Sequence, residues 1–524
     1  MAEPWPLVAG LLIGLAPRLV FDAKGERRPV VAVVAWALAG AALLLEAFRT
    51  SLNDDEVFYL ADSWAARSGE TSGALPMRYL VLRPFLLPPW PPSATLVAGR
   101  VAMAIVALVG AIVAVCLARR QSASAFDARL AGALTLLWLA TGAEAALLRP
   151  EQLAGAAVLL GIALLVAPPS RWSRGSTVGG AFVLLTLAAS ISHRRLLLLP
   201  AAMAILVWLA PRSCRRADLA RAGAGMALGS LPSLLYVATR DSLGAIWYWN
   251  WTFVVRESWI PAEGLGVPFP RLLLLLGVAG AAFALRRPRS PGAAGLSAFW
   301  AASTALAVLV PFTLNYALGP WLALSLVLAA ALASHATPSP ASPVSQRLYA
   351  VALGLLGVAP LLGAGVVRTV PSTLGSELAL VDWLKDAAGG GPVACVAPFH
   401  PIKAANAWRL WNAWWYCYLR EPAFNRWLNP DLAQMLRSAE ARVIEWDPWP
   451  QASGHRNVIA YAVANGFLTP EQARAVAVSL RSHYRLVRWA RPLPAAHGGG
   501  RFLVPRTLAL DSRVVVLADQ RIAP

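Results

Sequence analysis

Charge is what this sequence has least of. Only 14% of its 524 residues are Asp, Glu, Lys or Arg, against about 25% in an ordinary soluble domain, while 58% are hydrophobic. A water-soluble fold cannot hide that much apolar surface, so the soluble globular class is excluded. Lysine is almost missing: Lys24, Lys385 and Lys403 are the only three, and the net charge of +19 rests on arginine. Those arginines fall mostly between apolar runs, which argues against nucleic acid as the partner. Four cysteines, Cys116, Cys214, Cys395 and Cys417, match no metal-site spacing, so a metal cluster is not expected. In an oxidising compartment Cys395 and Cys417 have the option of pairing; two unpaired buried thiols are the plainer account. Walker-type phosphate loops and dinucleotide motifs are also missing. The first 21 residues have an apolar core but carry Glu3 where a signal peptide would be positive, and read as an uncleaved span.

Long apolar runs are what the sequence does have. A helix needs roughly 20 apolar residues to cross about 30 Å of hydrocarbon. Such runs are expected near 4 to 20, 29 to 48, 94 to 118, 128 to 147, 153 to 168 and 176 to 192. Further runs lie near 194 to 211, 222 to 239, 268 to 285, 293 to 313, 319 to 334 and 348 to 369. The fold class is therefore mainly α, a polytopic transmembrane bundle of 11 to 13 helices over residues 1–369, followed by an extracytoplasmic α/β domain over 370–524. The pair of runs meeting at Ser192 to Arg195 reads either as two spans or as one broken element.

Alternate loops are basic, with Lys24, Arg27 and Arg28, then Arg119 and Arg120, Arg171 and Arg174, Arg212, Arg215 and Arg216, and Arg286, Arg287 and Arg289. The positive-inside rule makes these cytoplasmic. The unusual polar sequence then falls on the outer side: residues 49 to 93, the Arg149 turn, the Trp-rich stretch 240 to 266 and the terminal domain.

The first outer segment opens Asn53, Asp54, Asp55, Glu56, Val57, Phe58, Tyr59, and continues through Asp62, Arg67, Arg78 and Arg83. Adjacent carboxylates at a membrane boundary are either a solvated span end or a used site. Arg100 lies about two turns inside the next span. A guanidinium there faces a cavity or anionic partner, its planar fork suiting a phosphate, or else snorkels to the interface. A second outer turn carries Arg149, Pro150, Glu151 and Gln152, with Glu144 just before it.

Asp55, Glu56 and Tyr59 in a long outer loop after a span, with Arg100 opening the next span, resemble the polytopic lipid-sugar glycosyltransferases of the GT-C superfamily. Protein O-mannosyltransferases and bacterial aminoarabinose transferases are similar in this pattern, and the Arg149-Pro150-Glu151 turn is similar to a second acidic turn in many of them. The resemblance covers roughly residues 29 to 334; Asp54, the extra N-terminal span and the terminal domain depart from it. It implies a membrane enzyme that moves a hexose or pentose from a polyprenyl-phosphate donor to a lipid, glycan or protein acceptor on the outer face, with inversion. Asp55 is then the base and Glu56 and Tyr59 its companions. Arg100, Arg149, Glu151 and Arg194 or Arg195 hold the donor phosphate or substrate. The implied location is the bacterial cytoplasmic (inner) membrane, with the active site and terminal domain extracytoplasmic. No metal ligand set is demanded, although some relatives bind a divalent cation. A transporter or flippase of lipid-linked sugars is the alternative class; clustering of polar residues at one face rather than mid-bilayer favours the enzyme.

Other stretches read more plainly. Ile246 to Phe253 is an interfacial aromatic belt or a sugar-stacking surface, and His193 a polar contact. Asn315 and Tyr316 are hairpin residues, and Thr337 to Ser345 a flexible linker. In the terminal domain Gly375 to Ala387 predicts an amphipathic helix, Gly389 to Gly391 a turn, and Pro392 to Ala397 a buried strand. Thr469-Pro470-Glu471-Gln472 is a helix start. His400, Asn406 and the aromatic cluster from Trp408 to Tyr418 either contact glycans or dock the domain.

Overall fold

The computed structural model describes residues 16–52, 54–67, 76–142, 145–192, 195–196, 198–240, 247, 268–286, 291–309, 319–336, 342–368, 372–395, 402–403, 436, 438, 440–447, 457–464, 468–494, 500–518 and 522. Most of the first expected span lies outside these residues.

Helices come first along the chain: α1 (Ala16–Val20), α2 (Pro29–Arg49), α3 (Asp54–Arg67), α4 (Pro76–Leu86), α5 (Pro92–Arg120), α6 (Ala125–Gly142), α7 (Pro150–Val166) and α8 (Arg174–Ile191). They continue with α9 (Leu198–Leu209), α10 (Arg215–Arg240), α11 (Pro268–Leu285), α12 (Pro291–Leu309), α13 (Gly319–Ala336), α14 (Pro343–Arg368) and α15 (Leu374–Ala388). Then follow β1 (Val393–Ala394), β2 (Val443–Glu445), α16 (Val458–Ala464), α17 (Pro470–His483), β3 (Tyr484–Trp489), β4 (Arg501–Pro505) and β5 (Val514–Val516). Each expected span from residue 29 onward has its helix. The stretch around Ser192 resolves into two helices, because Ser192 adopts extended backbone at the C-cap of α8 and α9 begins at Leu198.

Two compact units result. The first comprises Met1–Ala47, Arg100–Leu235 and Pro261–Val370; the second comprises Phe48–Gly99, Tyr236–Ile260 and Pro371–Pro524.

The first unit is the bundle of an integral membrane protein. Among the described residues five helices are long and apolar enough to cross a bilayer: α2, α5, α8, α10 to Thr239, and α13. Their burial sorts them. Every residue of α13 from Gly319 to Leu328 is buried, as expected of a central helix. α5 instead exposes Ile105, Leu108, Val109 and Ile112 at helical spacing, a stripe suited to lipid. α7 and α8 are antiparallel neighbours: a Cβ at Gly161 would meet Ala181 O at 3.1 Å, and one at Gly180 would meet Leu164 at 3.5 Å.

At the basic-loop end of this unit Asp127 gathers the helices. Its side chain is 1% exposed and pairs with Arg27 at 2.8 Å. Tyr349 Oη donates to it at 2.6 Å, Ser124 Oγ at 2.7 Å, and Ser334 Oγ as well. The Arg27 guanidinium lies 5.1 Å from the Tyr349 ring. One carboxylate thus joins the segment before α2, the start of α6, the end of α13 and the start of α14. Removing one partner of a buried ion pair typically costs about 3–5 kcal/mol. Asp127→Ala is therefore expected to lower the unfolding midpoint of the detergent-solubilised protein sharply, and Tyr349→Phe much less; equal midpoints for Asp127→Ala and the parent would refute this role.

In the second unit the C-terminal residues form a five-stranded mixed sheet in the order β1-β2-β4-β3-β5. β1 pairs parallel with β2 through Val393↔Val443; the other pairings are antiparallel. Alternation assigns the faces. Ala394, Ile444, Leu486 and Leu503 pack with Val476 and Leu480 of α17. Neighbouring Phe502 and Trp489 turn to Trp383 of α15, with ring centroids 5.6 and 5.9 Å away. Both faces are covered, so Leu486 and Val487 are each fully buried. α15 ends on Gly389 in the left-handed conformation, φ 52°, and α17 starts with the expected capping box between Thr469 and Gln472. Thr469→Ala is expected to cost about 1 kcal/mol, measured as a shift in the denaturation midpoint.

Cys395, at the end of β1, is a free buried thiol. Burial, then the nearby Glu445 charge, pushes it well up, so it is an inert core residue. Burial likewise pushes Tyr484 up to about 12, its hydroxyl donating to Ala441 O at 2.6 Å.

Candidate functional site

The first unit concentrates buried charge at the end opposite Asp127. Arg100, in the third turn of α5, is 1% exposed, and its Nη1 donates to Ala47 O at 3.1 Å. A snorkelling arginine would keep its head outside; this one is inside protein. Ala47 lies in the last turn of α2. Its neighbour Glu46, also 1% exposed, accepts the Ala146 amide on Oε2 at 3.1 Å. Adjacent residues of α2 thus touch Arg100 and the turn that leads to Arg149.

That turn is built by its sequence. Arg149 is extended, φ −121° and ψ 127°, because Pro150 disfavours helical backbone at the preceding residue. Pro150 then starts α7, where a missing N–H costs nothing. Arg149, Glu151 and Gln152 are all buried, at 4%, 4% and 7% exposure, and none is without a partner. Since α7 and α8 are antiparallel, the break after α8 lies at the same end, and Arg195 there is 3% exposed. Arg100, Arg149 and Arg195 against Glu46 and Glu151 leave an excess of one positive charge among these buried groups. Arg194, His193 and Glu144 lie outside the described residues.

The acidic segment belongs to the second unit. Asp54 and Asp55 do not end the span; they open a separate helix, α3. Glu56 is fully buried and Tyr59 is 7% exposed, so neither is a solvated span end. Ser63 Oγ donates to Tyr59 O at 2.6 Å, one turn on. The side chains of Asp54, Asp55, Phe58, Asp62, Arg67 and Arg78 lie outside the described residues, as does Asn53. Arg83 is exposed on α4.

Trp247 is 62% exposed. The rest of the aromatic stretch, Asn315, Tyr316, most of the 337–345 linker, His400, Asn406, Cys417 and the Trp408 to Tyr418 cluster lie outside the described residues. Among the described residues no three His, Cys, Asp or Glu side chains come together as a metal-binding group. The clearest residue that sequence reasoning passed over is Glu46. Its signal was an acid three residues inside the end of an apolar helix, easily taken for a span terminus.

No protein-family model and no curated protein sequence matches the chain. Solved structures do. The oligosaccharyltransferase of Archaeoglobus fulgidus in its apo form aligns at 10% identity with a TM-score of 0.53, over 93% of this chain and 76% of its own. ArnT from Cupriavidus metallidurans bound to undecaprenyl phosphate aligns at 15% identity and a TM-score of 0.46, over 71% of this chain and 82% of that one. AglB of A. fulgidus, in complex with an inhibitory peptide and a dolichol-phosphate, gives 11% identity and a TM-score of 0.46, over 93% and 75%. The fold is the GT-C fold, as the sequence resemblance implied.

Proposed function

We propose that this chain is a membrane glycosyltransferase that transfers a sugar from a polyprenyl-phosphate donor to an acceptor on the outer face of the membrane. What carries the reading is the set of buried arginines, Arg100, Arg149 and Arg195, gathered at one end of an apolar bundle with the GT-C fold. Burying guanidinium groups in such surroundings is costly, and charges kept there pair within the protein and mark substrate or ion pathways. A phosphate at the head of a lipid meets both demands, since its charge suits the arginines and its tail suits the bilayer.

The chemistry follows from those charges. An acceptor hydroxyl attacks the anomeric carbon, and its proton passes to the carboxylate of Asp55. The bond from the anomeric carbon to the phosphate oxygen breaks, and polyprenyl phosphate leaves with an added negative charge. Arg100, Arg149 and the Arg194-Arg195 pair stabilise that charge in a site poor in water. Glu56 orients the acceptor or the base, Tyr59 packs beside them, and Glu151 holds the Arg149 turn. One displacement with one base inverts the anomeric configuration.

Purified protein in vesicles, given polyprenyl-phosphate sugars, is expected to form a new glycosidic bond to an added acceptor and to release polyprenyl phosphate. Movement of intact donor between leaflets with no bond formed would replace the enzyme by a flippase.

A further inference from the structure

Within the second unit the segment that carries the acidic helix is held at both ends by the C-terminal residues. At its start, the Leu52 amide donates to Glu377 Oε2 at 3.2 Å, two residues before α3. Ser51 Oγ lies 3.1 Å from Thr373 Oγ1, which in turn donates to Glu377 at 3.4 Å. Glu377 is fully buried in the first turn of α15. At the far end, Asp382 takes two hydrogen bonds from Ser93: the amide at 2.9 Å and the hydroxyl at 2.6 Å. It thereby satisfies a free N–H in the first turn of α5. Lys403 Nζ donates to Pro88 O and Trp90 O, each at 2.8 Å. Lys403 does so from a left-handed backbone, φ 59°, a conformation that only surrounding contacts maintain for a residue of this type. Burial, and the charge of Lys385, pull its ammonium down.

We infer that α15 is the clamp for α3, with Glu377 a positioning residue for the acidic pair and Asp382 and Lys403 fixing the other end of the segment. The physical case is one of geometry and strength. A buried carboxylate accepting a backbone amide makes a stronger hydrogen bond than a neutral acceptor. Glu377 and Asp382 stand five residues apart on one helix, about 7.5 Å along its axis, so they hold the two ends of the segment at a set spacing. A base must sit within about 0.5 Å of its productive place, and the amide that Glu377 holds is only three residues before Asp55. The terminal residues thus build the site instead of decorating it. This inference rests on the reading of Asp55 as the base.

The test combines amide exchange with transfer kinetics in the full-length protein. Glu377→Ala is expected to raise exchange over residues 52–60 and to lower kcat about tenfold to a hundredfold, with the donor KM within about twofold, since misplacing a catalytic group by about 1 Å has that scale. Glu377→Gln keeps an oxygen for the Leu52 amide and is expected to recover most of both. Asp382→Ala gives a second measurement at the other anchor should Glu377→Ala not fold. Arg474→Ala, at an exposed surface pair with Glu471, serves as the control without effect. Unchanged exchange over α3 in the folded alanine variants would overturn the clamp, and so would loosened exchange at full kcat. Full activity in Asp55→Asn would remove the base assignment, whereas inactive Asp55→Asn beside fully active Glu377→Ala would remove the clamp alone.

Discussion

Asp55→Asn is expected to lower turnover in sugar transfer by about two to four powers of ten while leaving membrane insertion and donor binding in place. Asn keeps the size and one acceptor oxygen but cannot take a proton at neutral pH. The hydroxyl nucleophile must then attack with its proton still attached. The pH profile of kcat/KM should accordingly lose its acidic limb in the variant. Asp54→Asn, made alongside, reads the register of the acidic pair: loss confined to Asp54→Asn would move the base by one residue. Full activity in both single variants and in the double variant would take general-base catalysis away from this pair altogether.

The membrane bundle was legible because its signal is local. An apolar run of about 20 residues needs no partner to be recognised, and α2, α5, α11 and α13 begin within two residues of where the hydropathy put them. Helix ends written in neighbouring residues were equally readable, as with Thr469, Pro470 and Gln472 at α17. Arg100 was legible through its cost: an arginine two turns inside an apolar run demands an explanation wherever it lies. What could not be read is whatever depends on distant backbone. Glu377 accepts from Leu52, 325 residues away, and Asp382 from Ser93, 289 residues away. Backbone amides look alike in every sequence, so neither acid announces its partner. Asp127 raises the same difficulty in another form. Its donors Arg27, Ser334 and Tyr349 come from three separate stretches, and each alone reads as an ordinary polar residue near a helix end.

Glu46 and Arg100 show how this bundle manages charge in an apolar setting. Both grip backbone, Arg100 the carbonyl of Ala47 and Glu46 the amide of Ala146. Each thereby satisfies a main-chain group at a helix end or a turn, where no regular helical bond is available. Arg100 carries five N–H groups on one planar fork, and the bond to the Ala47 carbonyl comes from its Nη1. A structural tether and a phosphate ligand are compatible in one side chain.

Arg100→Met separates those two jobs and has the second of the large expected effects. Methionine fills similar volume with no charge, and the lost bond leaves a buried carbonyl at a cost of about 1–3 kcal/mol in stability. That loss would appear as a lower unfolding midpoint, with or without catalysis. If the guanidinium also meets the departing phosphate, turnover should fall by about 10²- to 10³-fold, the usual scale for removing one preorganised donor from developing charge. Arg100→Lys is then the telling companion. It keeps the charge but loses the planar fork, so it should recover part of the turnover without full donor affinity. A structural role alone predicts no such difference: kcat near parent for whatever fraction is folded, in both variants. Measured per folded molecule, with fold verified by the midpoint, a kcat for Arg100→Met within about twofold of parent would leave Arg100 a tether only, and the leaving-group role would pass to Arg149 and the Arg194-Arg195 pair.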